Sequence, residues 1–301
     1  AIVVTGSANS TMFLSLTGGA TGYKIQKNRQ AISMSDIKPY DVVTYDSINN
    51  TLIVSDLHLT CVYEDAAPSA KAPETITVLG HSFPVLESAW DTVKDFSVGD
   101  VVSLLLTSDG KVAGMAKSSV RSSAIGMVSG STATVFLPAG GSIELKSDRE
   151  ISGSNVENQL VTISSSSRGR IYASKLASSA APGELNLKNM TLGSYTVTAG
   201  VRLYEQVGSA MAQIDLSGLV VDSISANSIA SYHLNSSNMV DYLILKAVTG
   251  DAYVYGKLTR GEQTGGSEMT YTNQTVSVAN GSGGMGTHIA AFSFKDGGFG
   301  G

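Results

Sequence analysis

Apolar and polar residues alternate along most of the chain with the period of two that predicts β-strands. The strand-like runs are rich in Val, Ile, Thr and Tyr, and Gly, Asn, Asp and Ser separate them. The clearest runs are 42–45, 51–54, 101–106, 160–163, 240–245 and 275–278. Segments with the 3.6-residue period of a helix are nearly absent, and the best short candidate is 88–93. The pattern therefore predicts an all-β fold.

Turn residues join several of these runs into hairpins. The predicted turns are 47–50, 108–111, 166–169 and 249–251. Asn and Asp tolerate the left-handed backbone angles of tight turns, and Gly adopts them freely. The repeating unit is a strand, a turn and a second strand.

The hairpins resemble one another. The run that begins at Asp41 recurs at Asp100, and looser copies begin at Gln159 and Asp241. Three other features recur in the same order in both halves of the sequence. A Ser-Thr pair precedes a Gly-Gly pair at 10–19 and at 131–141. A Tyr-Glu pair follows at 63–64 and at 204–205, and then an apolar run before Gly at 76–80 and at 214–218. This shared order predicts an internal duplication.

We therefore predict a tandem of two related small antiparallel modules, each a β-barrel or a β-sandwich with hairpin repeats. The predicted boundaries are module 1 at 1–117, with the strand region 1–22 free to pack elsewhere, a small polar joint at 118–123, and module 2 at 124–260. The tail 261–301 is predicted to hold a strand pair that completes module 2 or starts a third copy.

The amino-acid composition limits the kinds of partner that we expect this protein to bind. The net charge is −5 and the Lys and Arg residues are scattered, which argues against a nucleic-acid partner. The apolar runs are far shorter than the roughly 20 residues of a membrane-spanning helix, so we predict no membrane span. The single cysteine, Cys61, excludes an internal disulfide and lies in an alternating run where a buried structural thiol is expected.

Repeated acidic residues are the first candidates for chemistry. Asp41 and Asp100 suggest a carboxylate pair, but an Asp before a strand more often caps the turn by accepting backbone N–H groups. Glu64 and Glu205 are likewise repeated with the scaffold. We interpret all four residues as structural.

The other candidate residues give equally weak evidence of a functional site. The histidines, at positions 58, 81, 233 and 288, are far apart in the sequence and lack metal-ligand spacing. Arg168 and Arg170 form the most basic patch, interpreted as a solvated turn, and Tyr253 and Tyr255 share one face of a predicted strand. We predict no catalytic, metal-binding or cofactor-binding residue and no cofactor.

Several segments resemble a family of large secreted surface proteins of Firmicutes that carry S-layer homology domains. The segments that carry the resemblance are 37–45, 57–64, 76–81, 98–114, 165–170 and 248–251. The S-layer homology domain itself is not found in this sequence. The resemblance implies an extracellular position on the bacterial surface and brings no assigned active site.

Three functions follow as hypotheses. The first is a non-catalytic structural protein, an S-layer-like or filament component that self-associates. The alternative is an adhesin module that contacts cell wall, glycan or host. The third, a surface hydrolase, would need a polar cleft near His58, Glu64 or Asp65.

Overall fold

The computed structural model describes residues 1–176, 179–207, 210–216, 219, 221–249, 256–263, 270–279 and 285–293. The chain divides into two compact units, Ala1–Ala252 and Tyr253–Gly301. The described residues form mainly β-strands in several sheets, which confirms the predicted all-β class, and none of these sheets closes into a barrel. The division into two tandem modules stays a prediction.

The first sheet contains five strands in the order β1-β4-β5-β2-β3. These strands are β1 (Ile2–Val3), β2 (Lys24–Lys27), β3 (Gln30–Ala31), β4 (Val42–Asp46) and β5 (Thr51–Ser55). β4 and β5 form the hairpin predicted from turn 47–50, where Asn50 has a φ of 47°. β2 runs parallel to β5 on its other side.

Two three-stranded sheets follow, in the orders β11-β10-β6 and β7-β8-β9. The strands are β6 (Leu57–Val62), β7 (Asp65–Ala67), β8 (Thr75–Val78), β9 (His81–Pro84), β10 (Val101–Leu106) and β11 (Val112–Lys117). β10 and β11 form the predicted hairpin around Gly110, whose φ of 86° suits a glycine. Both strands are buried along most of their length, as their continuous apolar runs require.

A second five-stranded sheet has the order β14-β13-β12-β15-β16. Its strands are β12 (Ile125–Ser129), β13 (Thr132–Phe136), β14 (Ser142–Lys146), β15 (Leu160–Ser167) and β16 (Arg170–Lys175). Buried and exposed positions alternate strictly in β14. The predicted turn 166–169 joins β15 to β16.

The last sheet of this unit has the order β21-β17-β18-β19-β23-β22, with β20 also paired to β19. Its strands are β17 (Leu185–Asn186), β18 (Thr191–Leu192), β19 (Tyr195–Val207), β20 (Ala210–Ile214), β21 (Ser223–Ile224), β22 (Ile229–Leu234) and β23 (Val240–Lys246). β19 runs parallel to β23, with a register shift between Val197 and Arg202. The predicted turn 249–251 extends beyond the described residues, as do Tyr253 and Tyr255.

Helices are short. Within the described ranges, the α-helices are α1 (Leu14–Thr17) and α2 (Trp90–Val93), and the 3-10 helices are Ser10–Phe13, Met34–Asp36, Glu87–Ala89 and Ala226–Ser228. The helix candidate at 88–93 is thus confirmed as a 3-10 turn that continues into α2.

The largest hydrophobic core extends across the predicted joint. It contains residues from Leu57 to Ala173, including Tyr63 before the joint and Ile163 after it. A smaller cluster joins Ile125 to Tyr204 and so connects the second five-stranded sheet to the last sheet. Core residues on the two sides of the predicted joint therefore pack together.

Hydrogen bonds fix the joint between its neighbours. Ser122 Oγ lies within hydrogen-bond distance of the carbonyl oxygens of His58 and Ile163, at 3.0 and 2.6 Å. The amides of Ser123 and Ala124 donate to the His58 carbonyl at 2.9 and 3.1 Å. The small polar residues of the joint thus bind strands on both sides.

The second unit contains β24 (Gly256–Gln263), β25 (Thr270–Ala279) and β26 (Met285–Ser293). They form an antiparallel sheet in the order β24-β25-β26. β25 and β26 correspond to the strand pair predicted in the tail.

Candidate functional site

The repeated Asp residues make the same local hydrogen bond. Asp41 Oδ2 accepts the amide of Lys38 at 2.9 Å, and Asp100 Oδ2 accepts the amide of Ser97 at 2.8 Å. Each carboxylate therefore closes the turn that precedes its strand. This confirms the predicted turn-capping contacts.

The repeated Tyr-Glu pairs also carry structural contacts. Glu64 accepts the amides of Leu79 and Gly169 at 2.9 and 3.2 Å. Glu205, which is fully buried, accepts the amide of Thr249 and its hydroxyl, the latter at 2.6 Å. Both carboxylates bind backbone N–H groups far along the chain.

Asp41 and Asp56 lie next to each other at the ends of two neighbouring strands. Because Val42 of β4 pairs with Ser55 of β5, the register brings residues 41 and 56 opposite each other. Like charges in that position destabilise a sheet unless a cation neutralises them.

Lys27 supplies that cation. It is the last residue of β2, and the parallel register places it beside Val54 of β5. Its Nζ lies 3.0 Å from Asp41 Oδ2 and 3.2 Å from Asp56 Oδ2. The side chains of Lys27 and Asp41 are only 11% and 3% exposed, so this pairing is largely shielded from water.

Arg202 of β19 reaches the same carboxylate from the other half of the unit. Its guanidinium donates to the carboxylate of Asp56 and, at 2.9 Å, to the carbonyl of Ser123. The Ser123 hydroxyl in turn donates to the Asp56 carbonyl. Lys27, Asp41, Asp56 and Arg202 form what we call the charged network.

The pKa shifts follow from this geometry. Burial would raise the pKa of Asp56, but the charges of Arg202 and Lys27 outweigh it and hold the pKa well below its usual range. Burial raises the pKa of Asp41, and Lys27 offsets only part of the effect. Burial would lower the pKa of Lys27, but Asp56 and Asp41 raise it. Asp56 and Lys27 are therefore held as fixed charges, unlike an acid–base pair with pKa values near the working pH.

The turn between β2 and β3 makes a second connection between distant segments. Asn28 donates to the Gly200 carbonyl at 2.9 Å. Arg29 donates to Asp215 at 2.9 Å and to the Ala139 carbonyl at 3.0 Å. One tight turn thus contacts the bulge of β19, the segment after β20 and the β13–β14 loop.

A polar cavity of about 670 Å³ lies beside the charged network. Its lining includes Lys27, Asp56 and Arg202 from the network. The other polar or aromatic lining residues are Asp36, Lys38, Ser123, Thr162, Lys175, Thr198, His233, Asn235, Ser237, Asp241 and Tyr242. Its volume is within the range of small-molecule sites, about 300–1,000 Å³.

His233 forms a small cluster in the cavity wall. Its Nδ1 lies 2.7 Å from Asp241 Oδ1, and its ring stacks on Tyr242 with centroids 4.6 Å apart and an interplanar angle of 2°. The antiparallel register of β22 and β23 pairs His233 with Tyr242 directly. The sequence pattern did not predict this cluster, although the strand alternation on either side of turn 235–239 was a usable signal.

The remaining residues considered from sequence have separate environments. Cys61 is buried, as predicted, and burial raises the pKa of its thiol. His58 Nε2 lies 3.0 Å from the Tyr40 carbonyl, and burial lowers its pKa. No hydrogen bond or ion pair among the described residues joins His58 to Glu64 or Asp65, the group considered for a hydrolase.

Two further contacts pair a basic side chain or a histidine with an aromatic ring. Arg170 packs over the Tyr172 ring at 5.2 Å from its centroid. His81 contacts Phe83 edge-on, with centroids 4.5 Å apart. Arg168 is exposed in the turn, in agreement with its interpretation as a solvated residue.

Within the part of the chain that the structure describes, no group of three or more His, Cys, Asp or Glu side chains is arranged to hold a metal ion. Nor is any described helix long and apolar enough to cross a membrane. No family model, no curated protein and no solved structure matches the chain.

Proposed function

We propose that the protein is a non-catalytic structural component of the bacterial exterior, an S-layer-like or filament element that acts through contacts between copies. The observation that carries the proposal is the charged network. Its groups, which would otherwise be the best candidates for chemistry, bind one another and connect segments 146 positions apart. Ion pairs of this kind favour a rigid body, and a rigid body suits a lattice or fibre.

Two related modules in tandem form part of the proposal. The equivalent bonds of Asp41 and Asp100 support it, as do the backbone contacts of Glu64 and Glu205. Each repeated acidic residue thus keeps a repeated task in the scaffold. The choice between small barrels and sandwiches belongs to the same proposal.

The extracellular position follows from the resemblance of the sequence to surface proteins that carry S-layer homology domains. Self-association is the partner relation that a structural role requires. Contacts between copies that bury well over about 1,000 Å² would be expected for a stable assembly.

Electron microscopy of the purified full chain tests the proposal. We expect ordered sheets or fibres whose Fourier transforms show a repeat, and sedimentation that shifts to larger species as the concentration rises. The heat-unfolded chain is the control, because its aggregates should lack a repeat. A monodisperse monomer at every concentration would contradict the proposal.

A hydrolase screen tests the non-catalytic part separately. Substrates with glycosidic, ester and peptide bonds should remain uncleaved by the folded chain. Turnover that is proportional to protein concentration and lost on unfolding would show that the protein is an enzyme.

A further inference from the structure

The cavity beside the charged network is lined by polar groups that are available to a ligand. Four lysine and arginine residues of the described part of the chain line it. Lys27 and Arg202 are largely buried, whereas Lys38 and Lys175 are exposed. A cavity of about 670 Å³ has room for a monosaccharide or a molecule of similar size.

The charges of the lining are unequally paired. Asp56 is shared by Lys27 and Arg202, and Asp241 pairs with His233. The remaining carboxylate, Asp36, accepts the amide and the hydroxyl of Ser33 at 2.8 and 2.6 Å.

Lys38 and Lys175 are the cations left over. Among the described residues neither forms an ion pair, and Lys38 Nζ donates only to the Ser35 carbonyl at 3.2 Å. Hydrogen bonds from Ser33 and, to a smaller extent, the charge of Lys38 lower the pKa of the Asp36 carboxyl. The lining therefore offers a carboxylate the exposed ammonium groups of Lys38 and Lys175.

Hydroxyl groups supply the second part of the site. Thr162, Thr198 and Ser237 line the cavity, and none of the hydrogen bonds within the described part of the chain involves their hydroxyls. A ligand rich in hydroxyl groups would satisfy them. His233 and Tyr242, whose rings stack on each other, add aromatic groups to the lining.

We propose that this cavity binds a carboxylated sugar, of which a uronic acid is the simplest. Lys38 and Lys175 bind the carboxylate, and Thr162, Thr198 and Ser237 bind ring hydroxyls. This inference goes beyond the structural role and does not depend on it, since both a lattice component and a monomer could carry such a site.

Saturation-transfer difference NMR on the full chain tests the site with D-glucuronate as the probe. D-glucose lacks the carboxylate, and acetate lacks the hydroxyls. We expect a saturable signal with glucuronate and much weaker signals with the other two. The double variant Lys38→Gln/Lys175→Gln should lower the affinity for glucuronate about tenfold, the effect of losing two exposed charge contacts.

The matched control is Lys71→Gln/Lys146→Gln, which removes the same charge from two exposed lysines outside the cavity. It should bind glucuronate like the unmodified chain, and both double variants should melt at the same temperature as that chain. The proposal is overturned by the absence of a saturable glucuronate signal or by equal binding of glucose or acetate. It is also overturned if the two double variants bind glucuronate equally well.

Discussion

Asp41 and Asp100 occupy the same position before two repeated hairpins, yet only Asp41 belongs to the charged network. Both accept an amide three residues earlier. Asp100 is exposed, whereas Asp41 is 2% exposed and bound to Lys27. A repeated residue can therefore keep its local hydrogen bond while one copy acquires long-range partners, and the two copies should differ in their effect on stability.

The largest effect is expected from Arg202→Met. Among the described residues, this change leaves Lys27 as the one cation paired with Asp41 and Asp56. Breaking a shielded ion pair should lower the free energy of unfolding by about 3 kcal/mol. Urea unfolding followed by the fluorescence of Trp90 measures it. The control is Arg121→Met, an exposed arginine whose loss should change the free energy by less than about 0.5 kcal/mol. Equal losses in the two variants would contradict a special role for Arg202.

The unmodified chain and Arg202→Met should also differ in how the free energy of unfolding depends on pH. The pKa of Asp56 is depressed in the folded chain, so its stabilisation is complete above the unfolded pKa of about 3.9 and is lost as the pH falls towards the folded value. Without Arg202 the folded pKa moves back towards the usual range. The stability gap between the unmodified chain and Arg202→Met should therefore narrow from about pH 5 to about pH 2. A gap that widens with acid would mean that Arg202 acts through another group.

The direct test of the two copies is Asp41→Asn against Asp100→Asn. An asparagine keeps a carbonyl oxygen for the local hydrogen bond, so the substitution removes mainly the charge. We expect a loss of about 1.5 kcal/mol at position 41, where the hydrogen bond from Lys27 loses its charged acceptor although the burial cost of the carboxylate is relieved, and about 0.5 kcal/mol or less at position 100. Equal effects in urea unfolding would mean that the network adds little to the turn cap.

The repeated glutamates extend the comparison. Glu205 is fully buried and accepts two hydrogen bonds from Thr249, whereas Glu64 is partly exposed. Since a glutamine presents an N–H donor where one acceptor was, Glu205→Gln should lower stability by about 1.5 kcal/mol and Glu64→Gln by about 0.5 kcal/mol. The reverse order in thermal melting would contradict the burial argument.

The smallest effects are expected at the repeated tyrosines. Burial raises the pKa of Tyr204 to about 12, and the nearby Arg202 guanidinium offsets part of that rise. The Tyr63 hydroxyl is buried without a hydrogen-bond partner in the described part of the chain. Tyr204→Phe should therefore cost about 1 kcal/mol, while Tyr63→Phe should be neutral or slightly stabilising. A costly Tyr63→Phe would reveal a partner, such as a bound water, for that hydroxyl.

Local chemistry made the hairpins predictable. Gly110 and Gly169 stand at positions with φ of 86° and 65°, so the turns could be read from neighbouring residues. The burial of Cys61 and the turn-capping bonds of Asp41 and Asp100 were predictable for the same reason. Each depends on residues only a few positions away.

The charged network was not predictable in this way. Arg202 and Asp56 are 146 positions apart, and Arg29 and Asp215 are 186 positions apart. Their contacts depend on the parallel pairings of β2 with β5 and of β19 with β23, which alternation does not reveal. The joint 118–123 was predicted from its small, polar residues, but the contacts of its hydroxyl groups with neighbouring strands could not be predicted from them.

We infer that the charged network and the hydrophobic core hold the parts of the first unit on either side of the joint 118–123 together as one rigid body. Hydrogen exchange of the backbone amides at the joint tests this inference most directly. The amides of Ser123 and Ala124 both donate to the His58 carbonyl. They should exchange as slowly as the amides of β6 in the unmodified chain and lose protection before β6 in Arg202→Met. Exchange of these two amides at the rate of an unstructured peptide in the unmodified chain would contradict the account.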